Sequence, residues 1–315
     1  MNRLLLPAAV LIACAAPFVL PGYAVFELTI VITYAVALLG LNLLTGYNGQ
    51  ISLGHGAFFA LGAYVAGMLM EHAGWPYWAT LPAAAALGGV LGWLFGRPAL
   101  KLDGVYLALA TFALGVATPQ LLKYKGFEAW TGGSQGLVLV KPEAPFGLPV
   151  DADQWLYFFC LAVAAVLFAC ARNLLRGGFG LDIVAVRDHP IAAQAMGVDN
   201  ARIKTLTFGL SALCTSVGGA LSAIVVQFVA PDSFSIFLSI TLLVGAVVGG
   251  LGSLQGAVYG AVFIQFVPRV AEQVSKSAPW AVYGAILLLL VLLWPTGAAG
   301  GIRHLKNRIP ARSKP

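Results

Sequence analysis

Residues 46–56, GYNGQISLGHG, set the polar side chains of Tyr47, Asn48, Gln50, Ser52 and His55 among four glycines at 46, 49, 54 and 56. None of the eleven is an acid or a fixed cation. Amide, hydroxyl and imidazole groups beside unwound peptide bonds form hydrogen bonds without trapping a ligand by charge, which suits passage of a small neutral or zwitterionic solute. The segment lies between two long apolar runs, and uncharged polar backbone at membrane depth is tolerated only where it lines a cavity or is buried in protein. A broken or re-entrant element beside a central pathway is therefore expected, with Tyr47, Asn48, Gln50, Ser52, Gly54, His55 and Gly56 as its pathway residues. A plain turn capped by glycines is the alternative.

Residues 180–204, GLDIVAVRDHPIAAQAMGVDNARIK, carry a second signal. Pro190 suits a first helical turn, Asp188 or His189 is placed to cap it, and Gly197 suits the position just past its end. The pattern predicts a two-turn helix over 191–196 flanked by Arg187, Arg202 and Lys204. A helix this short is marginal in water, so something must hold it. It either packs on its own chain or seats as a knob in a partner's groove, transmitting motion.

Other chemistry is thin. Glu27 stands about one turn from the end of an apolar run, where its carboxylate can snorkel to water, and Asp103 stands at the end of another. Neither supports a proton relay, and no base, nucleophile or metal cluster is set within the apolar runs. His55, His72, His189 and His304 are scattered, and Cys14, Cys160, Cys170 and Cys214 lack metal-ligand spacing and read as small buried hydrophobes. The chain has no Gly-rich loop ending in Lys-Ser or Lys-Thr to cradle nucleotide phosphates. No enzyme is expected, and no cofactor. Any ATP is bound by separate subunits.

The elements that must position these residues follow from composition. The 315 residues are 60% hydrophobic and 10% charged, with mean hydropathy +0.88. A soluble domain carries about 25% charged residues, so the chain reads as one integral membrane domain over 1–315. The apolar runs are continuous, which excludes the alternating strands of a barrel and leaves an all-α protein. Apolar stretches fall at about 4–21, 23–45, 55–70, 76–96, 103–123, 154–172, 205–230, 236–250, 253–270 and 279–294. Ten transmembrane helices follow, with 236–250 and 253–270 open to reading as a re-entrant pair. With both termini cytoplasmic, thirteen of the 18 Lys and Arg residues lie inside, as the positive-inside rule requires. Residues 124–153 then form the longest external connection, 173–204 the longest cytoplasmic one, and 300–315 a basic cytoplasmic tail. Residues 11–14, LIAC, mimic a lipoprotein cleavage box, but the charge count favours a retained first span. The net charge of +6 is a matter of topology and lipid headgroups rather than nucleic acid. Glycines at four-residue spacing, at 88, 92 and 96, at 245 and 249, and at 252, 256 and 260, suit close helix packing.

Several motifs in one order carry a resemblance. Ile191, Ala192, Ala193 and Gly197 keep the spacing of the coupling segment of ABC importer permeases, Glu-Ala-Ala, three residues, then Gly, with Ile191 where the pattern has Glu. Ser52 to Gly56 (SLGHG), 102–111 (LDGVYLALAT), 131–137 (TGGSQGL) and 249–256 (GGLGSLQG) resemble the branched-chain amino acid permeases, M-type subunit of the Liv system, and the likeness runs from about 30 to 300. The resemblance implies a subunit of an ATP-driven, binding-protein-dependent importer in the bacterial inner membrane. Its partners would be a sister permease in a heterodimer, two cytoplasmic ATPase subunits and an external solute-binding protein. Asp188, Pro190, Ile191, Ala192, Ala193 and Gly197 would form the ATPase-coupling segment, and the cargo would be Leu, Ile or Val. Relatives of this architecture move urea, short amides or other amino acids, and a passive small-solute channel is the reading from another class.

Overall fold

In a bilayer core no water is available to the backbone, so a long apolar run must satisfy its own peptide groups as a helix. Each apolar stretch from residue 23 onward is helical in the computed structural model, which describes residues 13–99, 102, 104–145, 150–276 and 278–308. Half of the expected first span, Asp103 and the end of the basic tail lie outside the described residues. The principal helices are α1 (Gly22–Leu41), α2 (His55–Glu71), α3 (Tyr77–Ala99), α4 (Val105–Leu122), the short α5 (Glu128–Thr131), α6 (Ala152–Arg176), α7 (Gly178–Asp188), α8 (Pro190–Ala195), α9 (Asn200–Val226), α10 (Ile236–Gly249), α11 (Leu254–Val274), α12 (Pro279–Leu293) and α13 (Gly297–Arg308). A two-stranded antiparallel ribbon pairs β1 (Leu137–Val138) with β2 (Phe228–Val229), Leu137 opposite Val229. It ties the long 124–153 connection to the end of α9.

Five of the described helices are long and apolar enough to cross a bilayer, beginning with α1 and its continuation to Tyr47. The bent pair α12 and α13, at 44°, makes a sixth, while α10 is apolar but only 14 residues long.

The core is organised around α9. Ser211 and Thr215 face Gly40 of α1, Ser216 faces Gly62 of α2, and Ser216, Ala212 and Phe208 meet Gly88, Gly92 and Gly96 of α3 in turn. The register shows α1 and α3 antiparallel to α9. Since Ser216 also reaches Phe58 while Gly219 meets Phe59, α2 runs parallel to it. The glycines let backbones touch: a Cβ at Gly62 would fall on the Ser216 carbonyl, and one at Gly219 on the Phe59 carbonyl. A second unit pairs α10 with α11 through Gly249 against Gly256 and Gly245 against Gly260. Their turn uses Gly250 (φ 114°) and Gly252 (φ 72°), a left-handed region that disfavours side chains.

One expectation is corrected. Glu27 does not snorkel to water but is 3% exposed, accepting a hydrogen bond from Gln265 Nε2 (2.9 Å) and pairing with Arg269, both of α11. The cause is tertiary. Helix α11 runs antiparallel to α1 and delivers a cation to the carboxylate, so the charge is compensated in place.

One chemical change should therefore have opposite effects at two helical glycines. Gly62→Ala should destabilise the protein by about 1–3 kcal/mol through overpacking. Gly284→Ala, whose Cβ would meet nothing within 4 Å, should be neutral or stabilising by up to about 1 kcal/mol through helix propensity. Unfolding of both variants in mixed micelles by SDS titration tests this, and equal effects would refute the packing.

Candidate functional site

The interruption after α1 begins inside the helix. At Asn42–Tyr47 the chain widens into a π-helical turn, after which Asn48 N–H donates to the Leu43 carbonyl (3.2 Å) and Gln50 N–H to the Leu44 carbonyl (3.1 Å). Residues 48–54 are irregular until His55 opens α2. Such turns loosen the ladder and leave groups to be satisfied from elsewhere.

Asn42 supplies part of that. Fully buried, it donates from Nδ2 to the Ser253 carbonyl (2.7 Å) and accepts at Oδ1 from Gly252 N–H (2.8 Å). One side chain thus clips the end of α1 to the α10–α11 turn. Sequence reasoning passed over Asn42. Its signal was present as a lone amide inside the apolar run LLGLNLL.

Four of the pathway candidates are held in helix contacts. Ser211 Oγ donates to the Gly40 carbonyl (2.6 Å), so its lone pairs accept from His55 Nε2–H (2.6 Å), and His55 Nδ1 accepts from Ser52 Oγ–H (2.9 Å). This chain of bonds assigns the Nε2–H tautomer and joins α1, α2 and α9 through one fully buried ring. Gly54 packs against Thr111 of α4, whose Oγ1 accepts from Leu53 N–H (2.9 Å), and Gly56 N–H donates to Ser239 Oγ of α10 (2.9 Å).

The other three face the second sequence signal. Half-buried Tyr47 packs with Ile183 and Val186 of α7, Ala193 of α8 and Ile203 of α9. Arg187 Nη1 donates to the Gly46 carbonyl (3.0 Å), and Gln50 Nε2 donates to the Lys204 carbonyl (3.3 Å) and to Asn48 Oδ1. Between them lies a cavity of about 170 Å³, lined by Asn48, Gln50, Arg187 and Lys204 together with Leu102 and Leu107. The interrupted segment and the stretch 180–204 thus meet in one junction.

The stretch 180–204 is more helical than its sequence suggested. Helix α7, unanticipated, precedes α8. Pro190 occupies the first turn of α8 as expected, but neither Asp188 nor His189 caps it with a side chain. Asp188 is engaged by Arg187 Nε (2.8 Å), a charge-assisted bond stronger than a cap to a neutral N–H. Gly197 closes the helix at φ 90°, with Val198 N–H reaching back to the Ala193 carbonyl (3.0 Å), a Schellman-type end that favours glycine. Ala193 is buried, whereas Ile191 and Met196 are 84% and 86% exposed.

These features, a helical bundle with a short helix buried at Ala193 and exposed at Ile191, meet a direct match: the family described as branched-chain amino acid transport system / permease component fits residues 23–294. The chain belongs to this family. It is 30% identical to the high-affinity branched-chain amino acid transport system permease protein LivM of Salmonella typhimurium, over 94% of this chain and 74% of that protein. It is also 30% identical to the autoinducer 2 import system permease protein LsrC of Escherichia coli, over 90% and 84% of the two chains. To the permease protein LivH of Escherichia coli it is 24% identical, over 85% and 91%. No solved structure matches the chain significantly. Family and apolar helices together make this permease a multi-pass membrane protein.

Asn42→Leu should leave the part-buried Gly252 N–H and Ser253 carbonyl without that partner and destabilise the permease by about 1–3 kcal/mol. SDS-titration unfolding measures it. Wild-type stability in the variant would show that the clip contributes nothing.

Proposed function

We propose that this permease is the membrane subunit of an ATP-driven, binding-protein-dependent importer for branched-chain amino acids in the inner membrane. It crosses the bilayer ten times with both ends in the cytoplasm. Its partners are a sister permease, two ATPase subunits beneath and a solute-binding protein outside. The observation that carries this reading is the form of α8. One face is fixed by Ala193 to Ile183, Val186 and Ile203, and the other presents Ile191 and Met196 to solvent. Water gives no reason to display two large apolar side chains on a rigid two-turn helix, whereas a partner's groove does. ATP-driven closure of the ATPases would push on α8, and the push would pass through Tyr47 and the Arg187 contact with Gly46 into the interruption after α1.

The path is proposed to run along that interruption. Tyr47, Asn48 and Gln50 offer polar groups toward solute, and Ser52, Gly54, His55 and Gly56 form the packed wall behind them. Ile191 in place of an acid makes the docking apolar rather than ionic. The likeness to LivM supports Leu, Ile or Val as cargo, and the likeness to LsrC supports a second reading in which the cargo is another small polar solute.

Uptake of labelled leucine into proteoliposomes holding the assembled transporter should require both ATP and the binding protein. Equal flux without them would instead support a passive channel. Unlabelled isoleucine and valine should compete, and competition by autoinducer 2 alone would transfer the cargo assignment. Ile191→Glu with Met196→Glu, both on the exposed face, should leave the amount of permease in the membrane unchanged. The same pair should lower ATP-dependent uptake at least tenfold and release the ATPase subunits on purification. Retained ATPases with normal uptake would refute the knob.

A further inference from the structure

A second cavity, of about 380 Å³, lies between α13 and the turn that joins α10 to α11. Its walls include Leu251 and Ser253 of the turn, and Thr296, Arg303 and His304 at the start and on the length of α13. The frame is fixed. A Cβ at Gly297 (φ 72°) would fall on the Gly250 backbone and one at Gly300 on the Thr296 hydroxyl, so the start of α13 is held against the turn by close contact. The polar groups within the frame are free. Arg303 and His304 have no hydrogen-bond or ion-pair partner among the described residues, and Ser253, at the N-cap of α11, caps that helix with no side-chain bond. Among the described residues no acid lines the cavity. The sequence from 233 to 315 contains one acid, Glu272, eighteen residues along α11 and about 27 Å from its start, so neither the turn, α13 nor the rest of the tail brings a carboxylate here.

Helix α12 sets this cavity at the level of lipid headgroups. It buries no residue against the rest of the chain, exposes Leu288, Leu292 and Leu293, and ends at half-buried Trp294 before the 44° bend into α13. An apolar helix that ends in Trp and bends into a helix carrying Arg303, Lys306 and Arg308 has the form of a span meeting the membrane interface. The structure assigns the cavity to the phosphate of an anionic phospholipid, with its acyl chains along α12. The Arg303 guanidinium matches two phosphate oxygens with its planar fork, and the His304 ring and the hydroxyls of Ser253 and Thr296 supply further donors. An amino acid is disfavoured, because its ammonium group would meet Arg303 and find no acid. A zwitterionic lipid carries the same phosphate but brings a quaternary ammonium beside Arg303, so it binds more weakly. The bound lipid bridges α13 and the α10–α11 turn, which Asn42 in turn clips to the end of α1. The site does not depend on which solute the permease carries.

The test is native mass spectrometry of the full chain in detergent, titrated with phosphatidylglycerol, phosphatidylcholine and inorganic phosphate. Phosphatidylglycerol should fill one tight position per chain, with phosphatidylcholine and inorganic phosphate at least tenfold weaker. Arg303→Gln should weaken that position at least tenfold, whereas Arg176→Gln, at the end of α6, should leave it unchanged. His304→Ala should weaken it at least threefold and serves if the first variant fails to fold. Equal binding of the two lipids, inorganic phosphate as tight as the lipid, unchanged binding in the folded α13 variants, or an equal loss in Arg176→Gln overturns the site. So would an Arg303→Gln chain that keeps its lipid but sheds the ATPase subunits, since the cation would then serve a protein partner. Uptake into proteoliposomes that is independent of ATP would overturn the importer reading while leaving the lipid titration standing.

Discussion

Helices in lipid gain nothing from hiding apolar side chains from one another, because acyl chains are as apolar as leucine, so the bundle depends on backbones close enough to touch. Helix α9 meets this constraint on three sides at once. Against Gly40, Gly62 and Gly88 of its neighbours it sets Ser211, Thr215 and Ser216, and their hydroxyls donate to carbonyls of other helices: Ser211 to Gly40 (2.6 Å) and Ser216 to Phe58 (2.9 Å), with Thr215 shared between Ala37 (3.3 Å) and Ser211 of its own helix (3.0 Å). Each carbonyl keeps a second lone pair for its own helix, so the bonds add to the ladders without breaking them. Small residues bring the helices together, and the hydroxyls fix their register.

The rest of the architecture grades away from this tight centre. Helix α4 buries only Leu107, Thr111, Gly115 and Pro119, a strip at four-residue spacing that lies on the interruption and on α10. On its other side an apolar cavity of about 490 Å³, lined by residues such as Leu91, Phe95, Leu114 and Leu121, separates it from α3. A rigid triad of α1, α2 and α9 therefore stands beside a helix held along one narrow edge. Rocking α4 disturbs few backbone contacts, whereas moving α2 against α9 would break many. Local stability differs between the two in the sense that conformational change requires.

Hydropathy made the helical stretches from residue 23 onward legible, and the glycines of 46–56 marked the interruption, because both signals are local. The features that needed the fold join residues far apart. Glu27 meets Arg269 across 242 residues and Asn42 meets Gly252 across 210, so neither partner could be named from its own neighbourhood. Helix α7 was missed for a different reason. Gly177, Gly178, Gly180 and Asp182 read as a loop, and it is docking of Ile183 and Val186 on Tyr47 and Ile203 that offsets their poor helix propensity. The contact between the two polar stretches is likewise tertiary.

How strongly this chain can grip a solute follows from which polar groups are already engaged. His55 is bonded at both ring nitrogens, Ser52 and Ser211 complete its chain, and the Gly56 and Leu53 amides are taken by Ser239 and Thr111. Of the uncharged side chains at the interruption, Asn48 and Gln50 face the junction cavity, and Gln50 already donates to Asn48 and to the Lys204 carbonyl. Tight recognition of a zwitterion needs donors for its carboxylate and acceptors for its ammonium together in one desolvated place. With most of its buried polar groups bonded internally, the described part of the permease offers few. A weak and transient hold is what a conduit requires, since a solute bound firmly at mid-path would not leave.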